Sequence, residues 1–204
     1  MTVLFIDTCV REESRTKRLA EYFLKHINDE ISVIRPLDEG ITGLDRETLM
    51  IRDKALAEKD FTHPVLQYAV QFSKADMIVV AAPYWDLSFP AQLKDYIERV
   101  NAVGVTFDYD EKGMPFGMCQ AKKLVYITTA GGYIQDPSFG YEYIQALCRN
   151  FYQIPDTLMF AAEALDLPGT DVKKTLKMTM KEMDGWFSEQ GIWKMRRRRK
   201  ANQE

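Results

Sequence analysis

The sequence predicts an α/β fold in which a five-stranded parallel sheet carries helices on both faces. Short β-rich runs alternate with helical patterns five times along the chain, which is the order of a parallel sheet with crossover helices. The third run, DMIVVAA (76–82), has almost no polar alternation, so both of its faces should be covered. The 204 residues, 46% of them hydrophobic, suit one domain with a substantial core.

The first half of the chain supplies three of the strands. TVLFID (2–7) is typical of a central buried strand, and ISVIRP (31–36) is a second strand that ends at its proline. Between them, five residues recur at the spacing of one helix face: Leu19, Tyr22, Phe23, His26 and Ile27. A loop is predicted at 37–44, a charged helix at 45–59, and a further helix at 64–75 before the third strand.

The second half supplies the remaining two strands and an excursion. A helix is predicted at 88–101, with Ser88 as its N-cap and Pro90 in its first turn. GVTFDYDEKGMPFG (104–117) has aromatics and a turn near Gly113, consistent with an excursion or hairpin. KLVYITT (123–129) is the fourth strand, and DTLMFAAEAL (156–165) contains the fifth. Helices are predicted at 138–152 and from about residue 170 onward.

Composition narrows the class of protein. We expect a single domain over residues 1–194 and a basic, disordered tail over 195–204, where MRRRRK (195–200) is a solvated end. The net charge of −3 gives no indication of nucleic-acid or membrane binding. The cysteines Cys9, Cys119 and Cys148 form no CxxC pair, and neither a signal peptide nor a membrane-spanning run is present, so we expect a cytoplasmic protein. Two histidines and scattered cysteines indicate no metal site.

The turns that follow the first, third and fourth strands should hold the ligand, because open parallel sheets bind ligands beyond the carboxyl ends of their strands. The first turn brings Thr8, Ser14, Arg15 and Thr16 to the start of a helix. Hydroxyls, free backbone N–H groups and one cation suit a phosphate there. The alternative is that Ser14 or Thr16 only caps the helix. The turn has neither P-loop spacing nor a G-x-G-x-x-G motif, which disfavours a Rossmann dinucleotide site.

The other two turns suit a flat ligand. PYWDL (83–87) places two aromatics, Tyr84 and Trp85, directly after a strand; alternatively, they pack on the domain's own surface or at a subunit interface. Gly131 and Gly132 allow the backbone to approach a flat group closely, although an ordinary tight turn would also use them. Together, the three turns indicate a phosphorylated planar cofactor such as FMN.

Three segments carry a resemblance to a known family. The block AAPYWDLSFPAQLKDYIERVNAVGVTFDYDEKG, the helix start SRTKRLAEYF (14–23) and the turn TTAGGY resemble the FMN-dependent NADH-azoreductases, relatives of the NAD(P)H:quinone reductases. The similarity runs in order along nearly the whole chain. It implies a three-layer flavodoxin-like fold, a homodimer with the active site at the subunit interface, and ping-pong reduction of quinones and azo compounds by NADH or NADPH.

The resemblance also implies roles for individual residues. The four residues of the first turn would hold the FMN phosphate. The flavin ring would contact the second and third turns, and its N5 would carry the chemistry without a catalytic side chain. The cofactor-binding residues implied for these two turns are Pro83, Tyr84, Trp85, Asp86, Leu87, Thr129, Ala130, Gly131 and Gly132.

Some positions depart from the family pattern or leave alternatives open. Trp85 and Asp86 stand where the family usually has Tyr and Asn, and a carboxylate at Asp86 predicts a lower flavin potential than an Asn would give. Phe107, Tyr109 and Tyr133 are candidates for a lid, with core or dimer packing as the alternative for the first two. Two other functions fit the same fold, namely a flavodoxin-like electron carrier and a flavin-free binding or regulatory module.

Overall fold

The computed structural model describes residues 1–190, so the predicted basic tail at 195–204 lies outside the described residues. Seven strands form within that part of the chain. They are β1 (Thr2–Asp7), β2 (Glu30–Ile34), β3 (Met77–Ala81), β4 (Phe107–Tyr109), β5 (Pro115–Gly117), β6 (Lys123–Thr129) and β7 (Asp156–Ala162). Five of them make the main sheet, and β4 and β5 form a separate antiparallel hairpin.

The main sheet has the strand order β2-β1-β3-β6-β7, and every neighbouring pair is parallel. The chain moves from β1 outward to β2 and then crosses back over β1 to reach β3. The order therefore reverses between β1 and β3, which is where ligands bind in open α/β sheets. The predicted five-stranded parallel sheet is confirmed.

The same described residues form six α-helices. They are α1 (Arg15–Leu24), α2 (Arg46–Ala57), α3 (Gln67–Lys74), α4 (Ala91–Val100), α5 (Tyr141–Leu147) and α6 (Val172–Glu189). A 3-10 turn (Pro64–Leu66) precedes α3, and a π-helical turn (Cys148–Tyr152) continues α5. None of the helices in the described part of the chain combines the length and the apolar content required to cross a membrane.

The two faces of the sheet bury separate hydrophobic clusters, as the side-chain alternation of a strand requires. Leu4, Ile78 and Tyr126 point to one face, where residues from α3, α4 and α5 cover them. Val3, Phe5 and their neighbours point to the other face, where α1 and α6 contribute Leu19, Phe23, Leu176 and Phe187. This arrangement confirms the prediction of helices on both faces.

The start of α4 differs from the prediction. The helix begins at Ala91 with Pro90 in the cap position, so Ser88 is not its N-cap. Ser88 instead exchanges two backbone hydrogen bonds with Trp85, and its hydroxyl donates to the carbonyl oxygen of Phe139. The chain therefore completes a tight turn before the helix starts, and the serine belongs to that turn.

The excursion at 104–117 is a hairpin, as predicted. Phe107 pairs with Gly117 and Tyr109 with Pro115, and Gly113 takes the positive φ of 76° that the connecting turn requires. Gly117 lies against the π-helical turn: a Cβ at this position would be 2.3 Å from the carbonyl carbon of Tyr152. The close approach of these two backbones fixes the hairpin to the domain.

We predict that Gly117→Ala lowers the free energy of unfolding by about 1–3 kcal/mol, because the added methyl group meets backbone that cannot move freely. Gly185→Ala is the matched control, since nothing lies within 4 Å of a Cβ there and the residue is in the interior of α6. This control should raise the free energy of unfolding by about 0.5–1 kcal/mol. Urea denaturation measures both values, and equal effects of the two substitutions would contradict the close approach.

Candidate active site

Four turns meet at the carboxyl edge of the main sheet, following β1, β3, β6 and β7. Thr129, the last residue of β6, connects three of them. Its carbonyl oxygen accepts a hydrogen bond from the backbone N–H of Tyr84 at 3.0 Å, and its hydroxyl lies 2.6 Å from the hydroxyl of Thr16. The turns after β1 and β3 are thus both fastened to the end of β6.

The fourth turn, after β7, was not among the turns predicted to form the site. The backbone N–H groups of Leu165 and Asp166 donate to the carbonyl oxygens of Ala130 and Gly131, at 3.1 and 2.9 Å. These bonds continue the β6–β7 ladder past the ends of the strands. They bring the fourth turn against the Gly-Gly turn and make it a wall of the same site.

The four turns enclose a cleft with a cavity volume of about 180 Å³. Seven of the predicted cofactor-binding residues line it: Ser14, Arg15, Thr16, Pro83, Trp85, Thr129 and Ala130. Four further residues line it that sequence reasoning did not single out: Arg11, Glu13, Leu165 and Asp166. Leu165 and Asp166 could have been found by applying the same carboxyl-end rule to the fifth strand.

The start of α1 forms one end of the cleft, where its chemistry suits an anion. Ser14 is the N-cap, and its hydroxyl accepts a hydrogen bond from the N–H of Lys17 at 3.2 Å. Ser14 therefore both caps α1 and lines the cleft. The first N–H groups of a helix have no acceptor within the helix, so those of Arg15 and Thr16 remain available to an anion.

Thr8 does not line the cleft. It is buried, and both its hydroxyl and its backbone N–H donate to the carbonyl oxygen of Ala81, at 2.9 and 3.0 Å. These two bonds hold the end of β1 against the end of β3. Thr8 thus fixes the position from which the first turn departs.

Cys9 lies beside the first turn as a neutral group. Burial raises the pKa of its thiol to about 12, so the thiolate form is scarce near neutral pH. Its backbone N–H donates to the carboxylate of the buried Asp7 at 3.1 Å. That carboxylate lies 3.6 Å from Arg35 and 3.9 Å from Lys17, which balance its charge.

The PYWDL segment forms a tight turn closed by paired hydrogen bonds between Trp85 and Ser88. The two central residues, Asp86 and Leu87, both have positive φ, at 50° and 67°. Such a pair defines a type I′ turn, in which Asp is tolerated and Leu is strained. The turn holds Trp85 at the cleft, with the guanidinium of Arg11 5.9 Å from its ring centroid.

The other residues of the second and third turns lie around the cleft. Tyr84 is partly buried, and its hydroxyl donates to the carbonyl oxygen of Asp136 at 3.2 Å. Asp86 and Gly132 are exposed, so solvent screens the charge of Asp86. Gly131 is close to Asp166: a Cβ at this glycine would lie 2.4 Å from Oδ2 of the carboxylate.

The three lid candidates have different surroundings. Phe107 is buried and stacks on Phe151 at a centroid distance of 4.5 Å, so it packs in the domain and does not cover the cleft. Tyr109 is partly exposed on the hairpin and contacts Phe107 edge-on. Tyr133 is 65% exposed directly after the Gly-Gly turn.

Within residues 1–190, no group of three or more His, Cys, Asp or Glu side chains is placed to hold a metal ion.

We predict that Leu87→Gly raises the free energy of unfolding by about 0.5–1 kcal/mol, because it relieves the left-handed strain and creates the favoured Asp-Gly pair of a type I′ turn. Leu167→Gly is the matched control, since Leu167 is also exposed but lies outside the positive-φ region. Thermal denaturation of both variants measures the difference. Destabilisation by Leu87→Gly as large as that by Leu167→Gly would show that the turn is not strained.

Comparison with known proteins agrees with this architecture. Residues 1–185 match the family described as having a flavodoxin-like fold. The FMN-dependent NADH:quinone oxidoreductase 2 of Clostridium acetobutylicum is 39% identical over 192 residues, which cover 88% of this chain and 94% of that protein. The FMN-dependent NADH:quinone oxidoreductase of Coprothermobacter proteolyticus is 39% identical over 186 residues, covering 85% and 90%.

Among solved structures, the FMN-dependent NADH-azoreductase of Bacillus anthracis in complex with FMN superposes with a TM-score of 0.76. It is 21% identical and covers 92% of this chain and 98% of its own. At this identity the likeness shows the fold. Together with the closer sequence relatives, it establishes that the chain belongs to the flavodoxin-like fold family whose curated members include the FMN-dependent NADH:quinone oxidoreductases.

Proposed function

We propose that this chain is an FMN-dependent oxidoreductase that transfers reducing equivalents from NADH or NADPH to quinones or azo compounds. One observation carries the proposal. The cleft at the strand-order reversal joins a helix N-terminus suited to phosphate with an aromatic wall suited to a flat ring. The names of the relatives, FMN-dependent NADH:quinone oxidoreductases and an FMN-dependent NADH-azoreductase, support the same chemistry.

The residues at the start of α1 fit the phosphate of FMN. The guanidinium of Arg15 and the first backbone N–H groups of α1 would donate to its oxygens, and the helix dipole adds a favourable potential. The hydroxyl of Thr16 is held by Thr129, so it fixes the turn as well as facing the cleft. Thr8 would contribute indirectly, through the position of β1.

The second and third turns fit the flavin ring. Pro83 and Ala130 are buried residues of the cleft lining, and Trp85 adds an aromatic surface to it. The backbone from Thr129 to Gly131 comes to the cleft without long side chains, which allows a flat group to lie close to it.

When bound, FMN supplies the hydride-accepting and hydride-donating chemistry. In the described part of the chain, the side chains that line the cleft carry hydroxyls, apolar groups, guanidinium groups and carboxylates, and none is His, Cys or Lys. Their part is therefore to bind, orient and exclude water. We propose that the dinucleotide and the acceptor use the same opening of the cleft in turn, which is the ping-pong order.

We further propose that the protein works as a homodimer that completes the site. Three large side chains at the rim of the cleft are each more than half exposed: Leu87, Tyr133 and Phe139. The hydroxyl of Ser88 donates to the carbonyl oxygen of Phe139, so the type I′ turn and the segment around Phe139 form one surface. A second copy would cover this apolar rim.

The three free cysteines support a reducing, cytoplasmic location.

We predict that Phe139→Ser weakens the dimer, because it removes a large apolar group from the proposed interface. Met178→Ser is the matched control: Met178 is 58% exposed on α6, at a similar exposure to the 59% of Phe139. Sedimentation velocity over a range of concentrations should show dimers for the natural chain and the control, and a shift toward monomer for Phe139→Ser. A natural chain that stays at 23.6 kDa would contradict the dimer.

The central prediction concerns the flavin. The full chain incubated with FMN and then desalted should retain an absorbance band at about 450 nm, which NADH or NADPH bleaches and a quinone restores. Initial rates at varied donor and acceptor concentrations should give parallel double-reciprocal lines. A protein that takes up no FMN would favour the binding module, whereas one that binds FMN but does not oxidise either dinucleotide would favour the electron carrier.

A further inference from the structure

An ion pair joins opposite walls of the cleft. Nη1 of Arg15, the first residue of α1, lies 2.7 Å from Oδ1 of Asp166 in the turn after β7. The side chains are 41% and 67% exposed. The arginine that is best placed to meet a phosphate is therefore already engaged by a carboxylate, and the two residues are 151 positions apart in the chain.

Two features of the Gly-Gly turn position Asp166 and leave room for its carboxylate. The backbone N–H of Asp166 donates to the carbonyl oxygen of Gly131 at 2.9 Å. Its Oδ2 occupies the space that a side chain at Gly131 would need, since a Cβ there would lie only 2.4 Å away. The absence of a side chain at Gly131 thus makes room for the carboxylate next to the cleft as well as for a flat ligand.

Within residues 1–190, the positive and negative side chains that line the cleft are equal in number. Its lining includes two cations, Arg11 and Arg15, and two anions, Glu13 and Asp166. A phosphate monoester carries a charge of about −1.5 to −2 at pH 7. A phosphorylated ligand consequently enters a cleft without a net positive side-chain charge, and it must share Arg15 with Asp166.

We propose that Asp166 is a specificity-determining residue that weakens the preference of the cleft for phosphorylated flavin over dephosphorylated flavin. It does so by engaging Arg15 and by placing a negative charge next to the phosphate end. The inference rests on the proposed function, because it concerns the ligand of the same cleft. The inference predicts that removal of the Asp166 carboxylate strengthens FMN binding. If Asp166 instead oriented Arg15 toward the phosphate, the same removal would weaken FMN binding.

The test compares FMN with riboflavin, which has the same ring but no phosphate. The full-length protein, stripped of bound flavin, is titrated with each ligand while quenching of flavin fluorescence is measured. Asp166→Asn should lower the Kd for FMN about three- to tenfold, because a partly exposed ion pair is replaced by an arginine free to meet the phosphate. The Kd for riboflavin should change less than about twofold, since riboflavin carries no charge to interact with Arg15.

Two further variants separate this effect from a general change in charge or fold. Glu182→Gln removes one negative charge from an exposed position on α6 and should leave both Kd values unchanged. In an Arg15→Gln background, Asp166→Asn should improve FMN binding less than it does in the natural chain, because most of its effect acts through the arginine. Circular dichroism establishes that each variant is folded.

The outcomes are distinct. A rise in the riboflavin-to-FMN ratio of Kd values for Asp166→Asn alone supports the inference. An unchanged or lower ratio in protein that binds flavin overturns it and leaves the proposed function standing. Failure of the natural chain to bind either flavin overturns the proposed function and this inference with it.

Discussion

The contact between the hydroxyls of Thr16 and Thr129, 2.6 Å apart, joins the two ends of the cleft. Thr16 belongs to the helix start that would meet a phosphate, and Thr129 begins the segment that would meet a ring. The carbonyl oxygen of Thr129 also holds Tyr84, so the aromatic turn is fixed to the same point. One threonine at the end of a central strand thereby sets the spacing between the start of α1 and the aromatic turn.

The parallel sheet brings these turns together at one edge. Parallel strands need crossover connections, so all five carboxyl ends lie at one edge and both faces are covered by helices. Residues far apart in sequence, such as Arg15 and Asp166, can then form an ion pair. Two residues at that edge have local conformations or side-chain sizes that the site requires. Leu87 has a strained positive φ, and Gly131 has no side chain where the carboxylate of Asp166 lies.

Periodicity and turn chemistry were sufficient to predict the five strands, the hairpin and three of the four turns, because each of these depends on local sequence. They say less where tertiary contacts decide. Ser88 has the residue type of an N-cap but is held by Trp85 and Phe139 in a tight turn. The hydroxyl of Thr8 suits a phosphate by residue type, but only the fold shows that it donates to the carbonyl oxygen of Ala81. The sequence left a lid and core packing open for Phe107, and its stacking on Phe151 is a tertiary contact that no local pattern shows. Asp166 follows a strand whose turn gave no distinctive local signal.

The most direct measurement is a crystal structure of the full chain with FMN, because it locates both ends of the ligand at once. The account predicts that the phosphate lies at the start of α1, within hydrogen-bond distance of Arg15 and the backbone N–H of Thr16, with the ring against Trp85 and the segment from Thr129 to Gly131. A phosphate bound away from the start of α1, or a ring that leaves Trp85 and the Gly-Gly turn untouched, would contradict it.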